Sequence, residues 1–222
     1  MIMRKRMIAA FWLACFASTT YGQMSTKETL DLIPRDGKVA IRSIDELPAE
    51  AQDFHRKRGL KKGTTGAFEH QVPSEALNFI KAFEATAKDI ADPKKEIGFR
   101  LSTLANTPFA ALSFKGYSLE GPDKPVLRAA RVFRADNGQL VVLTEWDYVG
   151  AGGGMLLLRE YLNADINGTP GTIAFRRAPN GDSVWQLSWA TPKKEFTLYI
   201  TGVGSDEDMQ ASMMRFARSL RD

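Results

Sequence analysis

Apolar positions along this chain follow two rhythms, and the change between them divides it into helical and strand-forming parts. Leu77, Ile80, Phe83, Ala87 and Ile90 recur at spacings of three and four, which places them on one face of a helix. Lys81, Glu84 and Lys88 fall largely on the opposite face. Pro73 precedes this segment, Ser74 is the expected N-cap, and Asp92-Pro93 ends it. An earlier helix is predicted from Leu47-Pro48 to Arg58, stopped by Gly59. From Ile97 onward the runs shorten. Strands are expected near 109–114, 126–134, 140–148, 155–162, 172–177, 184–190 and 195–201. Asn137-Gly138, Asn180-Gly181 and Pro192-Lys193-Lys194 separate neighbouring runs, and links this short favour antiparallel pairing.

A last helix begins after Ser205, whose side chain and that of Asp208 form a capping box. Asp206, Glu207 and Asp208 put negative charge at the positive end of its dipole, and Arg215, Arg218 and Arg221 put positive charge at the other. Met209, Met213, Phe216 and Leu220 form its apolar face. The fold class is therefore α+β: an antiparallel sheet of about six to eight strands, packed by N-terminal helices and a C-terminal helix on one face.

The first residues carry a different signal. Arg4, Lys5 and Arg6 precede the apolar stretch 7–17, and the small residues Ser18, Thr19, Thr20 and Gly22 follow. This order reads as a cleavable export signal, with cleavage between Gly22 and Gln23. The stretch is too short to cross a bilayer, which takes about 20 residues. The expected organisation is a signal peptide at 1–22, a flexible segment at 23–46 with one strand near 38–42, and a single domain at 47–222. In that domain 47–96 is helical, and 97–222 holds the sheet and closing helix. The expected location is periplasmic or secreted.

Charge and cysteine usage narrow the class. The whole chain has a net charge of +4, and the export signal carries three of those positive charges, leaving +1. That balance does not steer a protein to nucleic acid. The single cysteine, Cys15, lies in the signal and reads as an ordinary apolar-stretch residue, with lipidation the alternative. Cleavage would leave neither a disulfide nor a thiol nucleophile.

Candidate chemistry is sparse. His55 and His70 lie outside zinc-ligand spacing and read as surface or loop residues, so no metal and no cofactor is expected. No serine-nucleophile motif is present, and no catalytic residue is assigned. Glu145 with Asp147 or Glu160 could form a carboxylate pair for hydrolysis, or could lie on a solvated strand face. Trp146, Trp185 and Trp189 could stack on a sugar or lipid, or could be core. Gly152 and Gly153 belong to a glycine-rich loop that could line a binding site or simply turn the chain. Arg56, Lys57, Arg58, Lys61 and Lys62 form the one basic cluster, open to an anionic partner or to peripheral contact with lipid headgroups, or else solvated.

The second half of the chain carries a resemblance. Asp165-Ile166-Asn167-Gly168, Thr172-Ile173-Ala174-Phe175, Leu187-Ser188-Trp189, Phe196-Thr197-Leu198-Tyr199 and the acid-capped final helix form the series, with Gly116-Tyr117-Ser118-Leu119 upstream. It resembles an extracytoplasmic domain of unknown function found in bacterial lipoproteins and at the outer end of some anti-sigma factors. The resemblance covers about the last 120 residues. It implies an exported, sheet-based, non-catalytic module and supplies no catalytic residues. The long N-terminal part, 23–96, and the lack of a transmembrane anchor depart from it and speak against an anti-sigma role. The expected function is a non-catalytic binding or accessory module of the bacterial cell envelope, engaging an envelope component or a protein partner. The alternatives are a lipid or glycan carrier and a carboxylate-based hydrolase. The oligomeric state is left open.

Overall fold

The computed structural model describes residues 28, 31–35, 37–58, 61–121, 124–202 and 204–221. The predicted export signal, with Cys15, lies outside the described residues. Four α-helices are named among the described residues: α1 (Ala49–Arg58), α2 (Phe79–Thr86), α3 (Pro93–Glu96) and α4 (Asp206–Ser219). Eleven strands accompany them among the described residues. They are β1 (Val39–Arg42), β2 (Lys61–Lys62), β3 (Phe68–Gln71), β4 (Ser113–Glu120), β5 (Arg128–Arg134), β6 (Leu140–Trp146), β7 (Met155–Leu158), β8 (Ala164–Ile166), β9 (Thr169–Arg177), β10 (Ser183–Ala190) and β11 (Glu195–Thr201).

Nine strands form the main sheet, in the order β2-β3-β9-β10-β11-β6-β5-β4, with β8 also paired to β9. It is antiparallel except for the β3–β9 pair, so the α+β class holds while the sheet is larger than the six to eight strands expected. The extra strands come from the part of the chain read as helical. There Phe68, 2 % exposed, anchors a four-residue strand too short to show an alternating pattern. The strand expected near 38–42 forms as β1. It pairs in parallel with β7 as a separate ribbon, which ties down part of the segment expected to be flexible.

Strand alternation assigns each sheet residue to one of two faces. On the first, Leu143, Ile173, Trp185, Leu187, Phe196 and Leu198 pack beneath Met209, Met213 and Phe216 of α4. Ser205 caps α4 by accepting from the Asp208 amide at 3.2 Å. The reciprocal half of the predicted box differs, because the Ser205 hydroxyl donates to the Asp208 carboxylate at 2.8 Å. On the second face, Ala130, Val132, Val142, Val184 and Tyr199 pack beneath Leu77 and Ile80, with Phe79 and Phe83 at the margin. The sheet is therefore covered on both faces, not on one as expected.

Two local expectations give way to tighter turns. Ser74 is not an N-cap. It starts a 3₁₀ turn, Ser74–Leu77, before α2, and α2 stops at Thr86. The region near 109 is a 3₁₀ turn, Pro108–Ala111, that drives Phe109 into the core between Phe133 and Phe216, rather than a strand.

Candidate functional site

The aromatic candidates do not form a platform. Trp185 stacks on Phe175 and Trp189 on Phe196, with centroids 4.4 and 5.0 Å apart, inside the first-face core. Trp146 is half-buried on the opposite face, so the three indoles share no surface. Core packing thus accounts for Trp185 and Trp189.

The glycine-rich loop is a docking surface for the chain's own N-terminal segment. Gly37 donates its amide to the Gly153 carbonyl at 3.0 Å, and Gly152, at φ 75°, closes the turn on Val149. A Cβ on Gly154 would fall 2.1 Å from the Pro34 carbonyl oxygen. Glycine there lets β1 lie beside β7.

The basic cluster is partly neutralised. Arg56 pairs with Asp45 at 2.9 Å and Lys57 with Asp53 at 2.6 Å, both at the surface, where such pairs contribute about 0–1 kcal/mol. Arg58 ends α1, and Lys61 and Lys62 are exposed on β2.

His55 is buried, against expectation. Its Nδ1 meets the Tyr161 hydroxyl, and its ring packs edge-on against Phe54 and Tyr161. His70 is half-buried on β3. Among the described residues no group of three or more His, Cys, Asp or Glu could hold a metal ion. No helix among them is long and apolar enough to cross a membrane.

The three carboxylates diverge. Asp147 accepts from the Gly150 amide at 2.7 Å, and Glu160 accepts from the Ser43 hydroxyl at 2.5 Å. Glu145 is fully buried on the first face, not solvated. It accepts from the Ser102 amide (2.9 Å), the Ser102 hydroxyl (2.8 Å), Lys194 Nζ (2.9 Å) and Arg131. Arg131 in turn donates to the Ser102 carbonyl at 2.7 Å, and Lys194 to the Arg100 carbonyl at 2.9 Å. Burial lowers the Arg131 pKa from its usual value, and Glu145 opposes that shift. Lys194 Nζ also lies 3.3 Å from Ser102 Oγ. A serine–lysine nucleophile would need that amine free to take a proton, and here it is engaged by the Glu145 carboxylate and the Arg100 carbonyl. The cluster pins the irregular segment near 102 to the sheet.

A second polar group was not singled out from the sequence. Reading the register across six strands on the second face gives Ser118, Ala130, Thr144, Thr197, Ser188 and Thr172 in one row. No side chain in it exceeds threonine in size. Flanking rows carry Tyr199 and Gln186 on one side, Trp146 and Glu195 on the other. The row is closed at its ends, where Thr86 Oγ1 meets Ser118 Oγ at 2.8 Å and Thr172 donates to the Tyr161 carbonyl at 2.9 Å. It lies between the apolar cluster under α2 and the one where Val39 and Met155 of the β1–β7 ribbon meet Trp146 and Ala190.

The middle of the row is unsatisfied. Thr144 is 2 % exposed and Gln186 4 %, yet Thr144 Oγ1 and Gln186 Oε1 have no hydrogen-bond partner. Gln186 Nε2 reaches Ser188 Oγ at 3.2 Å, and Ser188 Oγ meets Thr197 Oγ1 at 3.2 Å. Glu195, 4 % exposed, accepts a long bond of 3.4 Å from Thr197. Burial pushes the Glu195 carboxyl up to about 7, Arg128 opposing and Glu120 adding to the rise. Each such orphan costs about 1–3 kcal/mol unless something meets it. The alternation in 184–190 and 195–201 is visible in the sequence, but alternation does not say whether the polar half meets water or protein. The chain matches no family model, no curated protein and no solved structure in the comparisons made with them.

Proposed function

We propose that this chain is an exported, non-catalytic binding module of the bacterial cell envelope, with its ligand seat in the polar row between α2 and the β1–β7 ribbon. One observation carries the reading. Thr144 Oγ1 and Gln186 Oε1 are buried, unpartnered and on the same face of the sheet. A protein interior leaves few such atoms, and those it leaves call for an explanation. Two unpaired atoms over a floor of small side chains fit a bound small molecule. The non-catalytic part of the reading is supported by the divergence of Glu145, Asp147 and Glu160 and by the saturation of Glu145. The export part is supported by the order of charged, apolar and small residues at 1–22, and by the resemblance of the last 120 or so residues to an extracytoplasmic domain.

The test is native mass spectrometry of the protein purified from its own host's envelope fraction. A bound small molecule that Thr144→Val displaces bears the reading out. A bare mass overturns the ligand seat. A second protein attached in place of a small molecule would make the chain an interaction module instead.

A further inference from the structure

We propose that the ligand of the polar row is a small organic cation, its ammonium group held by Glu195 and its hydroxyl or amide group meeting Thr144, one strand over and one row along. The inference rests on the binding reading above and adds the chemistry of what binds. Among the described residues Glu195 accepts only a long bond, 3.4 Å from Thr197, and Oε1 of Glu120 on the same face has no hydrogen-bond partner. Arg128, the cation acting on it from β5, lies 3.3 Å from Glu120 of β4 and is shared with it. Glu195, Glu120 and Arg128 together carry one uncompensated negative charge when Glu195 is ionised. A buried carboxylate is costly unless paired, so the missing partner is a positive charge. The orphan Thr144 oxygen agrees, since a hydroxyl can accept. An anion would meet Glu195 and Glu120 instead.

Size follows from the floor and the cover. The floor is built of side chains no larger than threonine, and every residue in it is buried, so the occupant is small. The charged groups acting on Glu195 are Arg128 and Glu120. Tyr148, which clusters with Val39 and Met155 of the ribbon, has its hydroxyl engaged with the Thr191 carbonyl at 2.5 Å. The unliganded carboxyl, raised to about 7, is largely protonated in mildly acidic solution. Binding an ammonium then expels that proton to solvent and leaves a carboxylate–ammonium pair, so affinity rises with pH until the carboxyl is ionised without help.

The experiment is isothermal titration of the protein with ethanolamine and glucosamine, and with ethylene glycol and glucose as neutral counterparts, from pH 5 to 8. The amines should bind, their affinity rising close to tenfold per pH unit below 7 and levelling above it, with a proton released. Glu195→Gln should cost the amines at least tenfold and abolish the pH slope at an unchanged circular-dichroism spectrum. Thr144→Val should weaken them about fivefold while keeping the slope. Equal binding of neutral counterparts with no slope overturns the cationic ligand and leaves the binding module standing. No binding by any probe, together with a bare mass from the host envelope, overturns both. A high-resolution crystal structure grown with the amine and showing only water on Thr144 and Glu195 overturns the inference as well.

Discussion

Thr144 and Glu145 are neighbours in β6, and they belong to opposite kinds of polar interior. Glu145 points to the first face, where four donors meet its two oxygens and two cations sit beside it. Thr144 points to the second, where its hydroxyl meets nothing. The charged cluster is a fastening: both Glu145 oxygens are met, and it holds the 102 segment against the sheet. An unsaturated polar row of the same burial has bonding capacity left over. The difference teaches that burial and polarity alone do not mark a site. A single orphan does not mark one either, since Arg131 Nε in the fastening lacks a hydrogen bond; what sets the row apart is two orphan oxygens and a weakly bonded carboxylate on one face.

The sharpest way to break this contrast is to empty the fastening. Glu145→Gln leaves Arg131 and Lys194 buried without a carboxylate and should cost about 3–5 kcal/mol, read as a lowered urea midpoint. A loss below 1 kcal/mol would show that the cluster is not structural. On the other face, the elevated Glu195 pKa makes stability depend on pH. The folded state binds the proton more tightly than the unfolded chain, so the stabilisation is full below the unfolded value of 4.5 and is lost as pH rises to about 7. Across that window the unliganded protein should lose up to ~3 kcal/mol relative to Glu195→Gln, followed by denaturation at stepped pH. Parallel curves for the two proteins would contradict the burial of that carboxyl.

A smaller effect is expected at the ribbon beside the row. Gly154→Ala drives a Cβ to 2.1 Å from the Pro34 carbonyl oxygen and should cost about 1–3 kcal/mol. Hydrogen exchange should rise in 34–42 before it rises in the main sheet, and uniform exchange would mean that the ribbon is not a separate unit. The smallest effect is the most diagnostic. Thr144→Val removes an orphan hydroxyl at nearly constant volume and should leave unliganded stability within about 1 kcal/mol of the original, or raise it. A loss comparable to that of Glu145→Gln would show that the Thr144 hydroxyl has a partner after all.

How much of this was legible can be judged residue by residue. The Asn137-Gly138 turn between β5 and β6 and the cap of α4 were readable because both are local. A turn dipeptide and a hydroxyl at a helix start act over three or four residues. Phe109 was misplaced because an apolar run of that length fits either a strand or a turn. His55 looked like a surface residue because nothing near it in sequence shows that Tyr161 arrives from a distant part of the chain. The polar half of β10 and β11 was passed over for the same reason. Gln186, Ser188, Glu195 and Thr197 alternate with apolar neighbours as a solvent face would, and only the arrival of α2 and the β1–β7 ribbon buries them.

By itself the amino-acid sequence determined the α+β class, the central antiparallel strands with their turns, the capped closing helix and the apolar face beneath it. Each follows from periodicity and local backbone preference, which act within a few residues. Tertiary structure alone decided that the sheet would be covered on both faces, that Glu145 would be saturated by Ser102, Arg131 and Lys194, and that Thr144, Gln186 and Glu195 would be sealed in without enough partners. Those outcomes depend on which segments meet across tens of residues, and a polar side chain carries no mark of whether water or protein will face it.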